Sequence, residues 1–191
     1  MKIIGGYARG VELAELGGQI GVRPTVGRSR EALFNSLGDL TDARVLDLFA
    51  GSGALGLEAA SRGAASVVLV ELERSRLPVI EANIAKVRKT GIPGSVTLKC
   101  ADATRPENYL AGEVFDLVFA DPPYENSPAA FRKLAAGKGE DLFPAFPGAR
   151  VVWELPDAPG SVGEFIEHAE NAGAVWRLRR FGGTDFLWIG N

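Results

Sequence analysis

Val45-Leu46-Asp47-Leu48-Phe49-Ala50-Gly51-Ser52-Gly53-Ala54-Leu55-Gly56 decides the fold. An apolar run, a turn rich in glycine, and then Leu57-Glu58-Ala59-Ala60-Ser61-Arg62 up to Gly63 predict a strand, a tight loop and a helix stopped at Gly63. Glycine at the turn lets the backbone approach a ligand with no Cβ in the way. The pattern then repeats along the chain. Strands are expected over 44–49, 66–71, 95–100, 114–120 and 149–154, and helices over 53–62, 74–89, 128–136 and 161–172. A final strand pair is expected near 174–181 and 184–190. Strands alternating with helices predict an α/β fold, a mostly parallel sheet covered on both faces. The Gly182-Gly183 turn predicts a hairpin, so the last strand should run antiparallel. Ahead of this core, residues 1–15 read as a hairpin or extended lead-in and 16–28 as a loop. A helix follows over 29–37, capped by Ser29.

Gly51, Gly53 and Gly56 also match the dinucleotide fingerprint, with Glu71 at the offset where an acid binds ribose hydroxyls. A nicotinamide-dependent oxidoreductase therefore competes on the glycines alone. Asp47 argues for another cofactor. A carboxylate on the strand just before the turn would repel a pyrophosphate but suits the ammonium and sulfonium of S-adenosylmethionine. Glu71 closes the next strand, with Leu72 after it to lie against an adenine. Asp102 closes the third and is placed to accept from the adenine amine. Each acid alone reads as a solvated turn residue; at three successive strand ends they read as a site.

Asp121-Pro122-Pro123-Tyr124 follows the run Val114-Phe115-Asp116-Leu117-Val118-Phe119-Ala120. Two prolines have no N–H to extend a strand ladder, so they end the strand and stiffen the turn. An acidic acceptor, a carbonyl with no competing N–H and an aromatic face suit a flat base held by its exocyclic amine. A dinucleotide reading leaves this turn without a task. A base paired in a helix could not enter, so the target is single-stranded, looped or flipped out.

With these residues in view, the chain resembles the bacterial family that methylates guanine N2 in 16S ribosomal RNA of the small subunit. The likeness runs through Ile3-Ile4-Gly5-Gly6, Ala8-Arg9-Gly10, Arg23-Pro24-Thr25, Arg28, Arg30-Glu31 and Leu33-Phe34-Asn35. It continues through the glycine turn and Asp121-Pro122-Pro123-Tyr124. Near the end, Phe181-Gly182-Gly183-Thr184 departs mildly from an expected Tyr-Gly-x-Thr. The resemblance implies a Rossmann-like class I methyltransferase fold with a seven-stranded sheet and a short N-terminal extension, one domain with 1–40 leading into 41–191. It implies that Thr25 lies near the methionine carboxylate. It also implies that Phe49, Ala50, Gly51 and Gly53, with Asp47, Glu71, Leu72, Asp102 and Ala103, line the cofactor site. Asp121, Pro122, Pro123 and Tyr124 would hold the acceptor base. The turn itself does not separate guanine N2 from adenine N6, or RNA from DNA. A DNA adenine-N6 methyltransferase is the alternative enzyme, weakened by size, since no separate target-recognition domain is found in the 191 residues. A cofactor- and RNA-binding protein without catalysis is the alternative of another class.

A net charge of −3 looks wrong for a nucleic-acid enzyme until it is mapped. Residues 1–30 carry +3, residues 171–191 carry +2, and the intervening body carries −8. A polyanion would be drawn to the basic ends. Arg9, Arg23, Arg28, Arg30 and Arg180 are the candidate phosphate contacts, and ribosomal RNA or the assembling small subunit the expected partner. The one cysteine, Cys100, cannot form an internal disulfide and is expected to pack as a buried strand end, which suits a reducing cytoplasm. Lys2-Ile3-Ile4 begins without a signal-peptide pattern, and no apolar run approaches the ~20 residues of a membrane span. The lone histidine, His168, gives no metal cluster and reads as structural. No metal is expected, and a monomer is.

Overall fold

The computed structural model describes residues 1–16, 24–156 and 161–190, without the side chains of 24–26 and 161. Seven strands form one sheet: β1 (Arg44–Leu48), β2 (Ser66–Glu71), β3 (Ser95–Cys100), β4 (Leu117–Ala120), β5 (Arg150–Glu154), β6 (Trp176–Phe181) and β7 (Thr184–Ile189). Their order is β3-β2-β1-β4-β5-β7-β6. The first five are parallel, and β7 runs antiparallel to both β5 and β6. The chain moves outward from β1 to β3 and then returns to place β4 against β1. That reversal opens a crevice at the carboxyl ends of β1 and β4, where ligands bind in open α/β sheets. Leu48 is paired with Ala120, so Phe49 and Asp121 leave the sheet side by side.

Five helices cover the sheet: α1 (Pro24–Leu37), α2 (Ala54–Ser61), α3 (Leu77–Arg88), α4 (Ser127–Leu134) and α5 (Ser161–Asn171). On one face Leu33, Phe34, Leu57, Ile80 and Ile84 bury against Val45, Leu69 and Phe119. On the other, Phe131, Leu134, Phe165 and Ala169 bury against Leu46, Val118 and Trp153. The central strands are buried on both faces and read as continuous apolar runs, as parallel strands do.

Several expected boundaries move. α1 begins at Pro24, not at Ser29. Proline fits a first helical turn, where its missing N–H leaves no bond unmade. Ser29 is therefore inside the helix and buried, with its hydroxyl 3.3 Å from that of Thr184. Pro78 divides the expected helix over 74–89 into a single 3-10 turn, Arg74–Arg76, and α3. β4 begins only at Leu117; Val114 is exposed, and Asp116 instead pairs with Arg44 at 2.7 Å. Cys100 is exposed, because β3 is the sheet's edge strand.

The N-terminal extension is a narrow antiparallel turn, closed by a bridge between Lys2 and Glu12. It docks on α2. The buried Glu58 accepts the Ile4 and Gly5 N–H groups at 2.7 and 2.8 Å, and Ser61 Oγ accepts that of Ala8 at 2.8 Å. Gly6 has φ +73°, and a Cβ there would fall 1.7 Å from the Ser61 carbonyl. The paired glycines thus have a packing cause. Farther on, the buried Asn83 side chain accepts the Ala14 N–H and donates to the carbonyls of Ala14 and Ser52. This carries the extension to the rim of the glycine turn.

Candidate active site

The loop from Phe49 to Gly53 holds three residues in left-handed conformation: Phe49 at φ 62°, Gly51 at 56° and Gly53 at 80°. Phe49 is the unusual one, since a Cβ disfavours that region. The conformation is fixed by hydrogen bonds from Ala50 N–H to the Val70 carbonyl at 2.8 Å and from Gly53 N–H to the Ala50 carbonyl at 2.7 Å. Glu71 Oε2 accepts the Gly51 N–H at 2.9 Å, and its Oε1 accepts the Glu73 N–H. Both oxygens of Glu71 thus serve the loop backbone in this structure, where the sequence had offered them to a ribose. Arg76 approaches Glu71 at 3.6 Å.

Asp47 is buried beneath this loop and accepts the Gly56 N–H at 2.8 Å. Burial pushes its carboxyl up to about 7, against the Gly56 bond, and the negative charges of Asp121 and Glu71 push the same way. Asp121 and Glu71 are thus near enough for their charges to act on Asp47. Asp102 lies at the rim and folds an Asx turn, accepting the Thr104 N–H and hydroxyl at 2.9 and 2.8 Å. Partial burial raises its carboxyl, but the Thr104 bonds, Lys133 and Arg105 outweigh that and hold it low. Ala103 is buried and its carbonyl accepts the Tyr109 hydroxyl at 2.8 Å. Leu72 projects into solvent at 59% exposure, an open apolar shelf beside Glu71.

At the end of β4, Pro122 is buried while Asp121, Pro123 and Tyr124 are open. Tyr124–Asn126 form one 3-10 turn, closed by the Asn126 N–H on the Pro123 carbonyl, and lead into α4. Ser127, the first residue of α4, accepts the indole N–H of the fully buried Trp153 at 3.0 Å. The Asp121-Pro122-Pro123-Tyr124 turn is therefore clamped between β4 and a helix anchored on β5. Tyr124 keeps its ring 51% exposed. Asp121 is exposed as a residue, yet the protein packed around its carboxyl raises it.

Sequence reasoning missed Glu154, the last residue of β5. Trp153 is paired with Ala120, so Glu154 and Asp121 are the next step on neighbouring parallel strands. Burial and the charge of Asp121 raise its carboxyl as well. The signal was present: Val151-Val152-Trp153-Glu154 is an apolar run ending in an acid, like those ending at Glu71 and Asp121.

Asp121 and Glu154 thus lie side by side at adjacent strand ends next to a glycine cradle, with Asp47 buried beneath it and Glu71 bonded to its backbone. That donor set fits a cofactor carrying positive charge and opposes a pyrophosphate. Among the described residues, no group of His, Cys, Asp and Glu has the arrangement of a metal site, and no helix is long and apolar enough to cross a membrane.

The candidate phosphate contacts divide. Arg9 and Arg28 are exposed, and Arg180 is exposed beside Asp185 at 3.5 Å. Arg30 is a correction: it is buried, and its guanidinium donates to the Lys2 carbonyl and meets the Met1 sulfur. It holds the N-terminal extension to α1 and is withdrawn from any phosphate. Arg23 and the Thr25 side chain lie outside the described residues. His168 bonds the Ala135 carbonyl at 2.7 Å and packs edge-on against Phe131, a structural role.

Comparison with known proteins bears on the family and the fold. The family described as Conserved hypothetical protein 95 matches residues 1–141. Ribosomal RNA small subunit methyltransferase D of Escherichia coli is 41% identical over 131 residues, a stretch covering 65% of this chain and 60% of that protein. The solved structure of the Escherichia coli protein yhhF superposes with a TM-score of 0.70 at 30% identity, covering 100% of this chain and 98% of that one. A hypothetical protein of Thermus thermophilus gives 0.70 at 28%, covering 100% and 99%. With a seven-stranded class I methyltransferase sheet, an acid-rimmed glycine loop and a matching sequence over most of its length, this chain belongs to the Conserved hypothetical protein 95 family, that of ribosomal RNA small subunit methyltransferase D.

Proposed function

We propose that this protein transfers a methyl group from S-adenosylmethionine to the exocyclic N2 of a guanine in 16S ribosomal RNA, acting on the RNA or on the assembling small subunit. The observation that carries the reading is the Asp121-Pro122-Pro123-Tyr124 turn beside an acid-rimmed glycine loop, at adjacent strand ends. Family membership supports ribosomal RNA as the substrate class. S-adenosylmethionine, when bound, supplies a methyl group on a sulfonium that departs as a neutral thioether. Asp47, Glu71 and the loop from Phe49 to Gly53 would hold it, with Leu72 against its adenine, Asp102 and Ala103 at the rim, and Thr25 near its carboxylate.

The acceptor nitrogen is a poor nucleophile, because its lone pair is delocalised into the ring. The Asp121 carboxylate and the Pro122 carbonyl accept its two N–H bonds. They draw it toward tetrahedral geometry and free the lone pair. Tyr124 stacks on the base and fixes its approach. Positioning of this kind contributes up to roughly 7–11 kcal/mol in the best intramolecular cases. The nitrogen loses one proton as it gains the methyl group. Asp121 is suited to take that proton, since burial raises its carboxyl. No new negative charge has to be stabilised.

The test is to incubate the protein with labelled methyl donor and small ribosomal subunits from cells lacking the activity, then to map the modified nucleotide. Label at a guanine N2 supports the reading; label at an adenine N6, or none, overturns it.

A further inference from the structure

We infer that Glu154 makes the site select guanine: its carboxylate accepts the N1–H of the base whose neighbouring N2 amine is held by Asp121. The inference rests on the guanine-N2 reading above and assigns a task to a residue which that reading leaves idle.

Strand register carries the geometry. Leu117, Val118, Phe119 and Ala120 pair in order with Arg150, Val151, Val152 and Trp153. The next residues along are Asp121 and Glu154. Neighbouring strands are about 4.8 Å apart, and paired positions point to the same side. The two carboxylates therefore rim one mouth as a pair of adjacent acceptors. Neither has a hydrogen-bond or ion-pair partner among the described residues. The buried acids nearby are all engaged: Asp47 by Gly56, Glu71 by Gly51 and Glu73, and Glu58 by Ile4, Gly5 and Arg62. Two crowded carboxylates with no cation between them are unfavourable until donors arrive. The raised carboxyls of both residues express that cost.

The chemistry of the bases then decides the ligand. A guanine presents an N1–H donor next to its N2 amine, so its edge offers donors to both carboxylates. An adenine presents a bare N1 next to its N6 amine, and a cytosine a bare N3 next to its N4 amine. In either, a ring lone pair would face the lone pairs of an ionised Glu154, and only guanine supplies the donors that favour the ionised form against burial and the charge of Asp121. The catalytic turn accepts any exocyclic amine; the acid one strand away reads the atom beside it.

The test replaces the target guanine, in otherwise identical RNA, by 2,6-diaminopurine, which keeps the 2-amine but has a bare N1. Wild type should prefer guanine by about 10- to 100-fold in kcat/KM, the scale of one good base-edge contact. Glu154→Gln and Glu154→Ala should lower the guanine rate and bring the two substrates close to equal. Melting temperature and methyl-donor affinity would be measured alongside. The isosteric Gln variant and the wild-type comparison remain decisive if the Ala variant does not fold. Equal use of both bases by wild type would overturn the inference while leaving the guanine-N2 reading intact. An undiminished preference in both variants would do the same. Methylation at another atom, or of neither substrate, would overturn the reading and the inference with it.

Discussion

Asp47 Oδ2 accepts the Gly56 N–H at 2.8 Å, so a carboxylate near the end of β1 is bound to the first turn of α2. The helix can approach this closely only because residue 56 has no side chain. A Cβ there would lie 2.2 Å from Leu69 Cδ2 and 3.1 Å from Asp47 Oδ2. Gly56→Ala should therefore push α2 off the sheet. We expect a loss of about 1–3 kcal/mol, the usual cost of overpacking a core. Urea unfolding checks this, and a stability equal to wild type would show that the helix shifts freely.

The same carboxylate sets a pH dependence. Burial raises Asp47 from 3.8 to about 7. Below pH 4 the group is protonated in the folded and unfolded chain, and it costs nothing. As pH rises, the unfolded chain releases the proton first. Stability therefore falls through this window, and the full penalty is present above pH 7. The span between the two values corresponds to about 4 kcal/mol. Asp47→Asn keeps an oxygen for the Gly56 N–H and removes the penalty. The variant should melt above wild type at pH 8, with the two curves converging toward pH 4, while its affinity for S-adenosylmethionine falls. Parallel melting curves across that range would show that Asp47 is ionised at ordinary cost.

Much of this arrangement was legible because it is local. The run from Val45 to Gly63 contains its own strand, turn, helix and stop. Asp121-Pro122-Pro123-Tyr124 ends its strand by proline chemistry alone. What escaped depends on partners distant in sequence. Ser29 resembled a cap because serine favours caps, yet α1 had begun at Pro24, and Gly182 packs against Ser29. Arg30 looked like one more basic residue until Met1 and Lys2 folded over it. Glu154 gains meaning only once β5 is known to lie beside β4, a pairing no local pattern predicts.

Asp121 and Tyr124 separate chemistry from binding. Asp121→Ala should abolish transfer yet leave S-adenosylmethionine affinity within a few fold, since its carboxylate is assigned to the acceptor amine. Tyr124→Phe should keep most activity, because stacking needs only the ring, and Tyr124→Ala should lose much of it. Single-turnover rates with parallel calorimetry check both. Near-wild-type turnover by Asp121→Ala would remove the proposed role of the turn.

The basic ends offer a contrast between two arginines on one helix. Arg28 and Arg30 both belong to α1, but Arg28 is exposed and Arg30 is buried against the N-terminal extension. Desolvation lowers the Arg30 guanidinium, with Glu58 opposing and Arg62 reinforcing that change. α1 packs beside β6, where Arg179 donates to Ser36 at 2.6 Å. Arg28 and the exposed Arg177 and Arg180 therefore lie on adjoining elements. Each phosphate contact adds about 0.7–0.9 to the slope of log affinity against log salt. Arg9→Ala with Arg28→Ala should weaken RNA binding and flatten that slope by roughly one to two, with the melting temperature nearly unchanged. Arg30→Ala should do the reverse. It should lower the melting temperature by loosening residues 1–5 from α1, while the salt slope of the folded protein holds. Filter binding at several salt concentrations, with melting curves on the same samples, separates the two. A flattened slope in Arg30→Ala with full stability would mean that its guanidinium reaches the RNA after all.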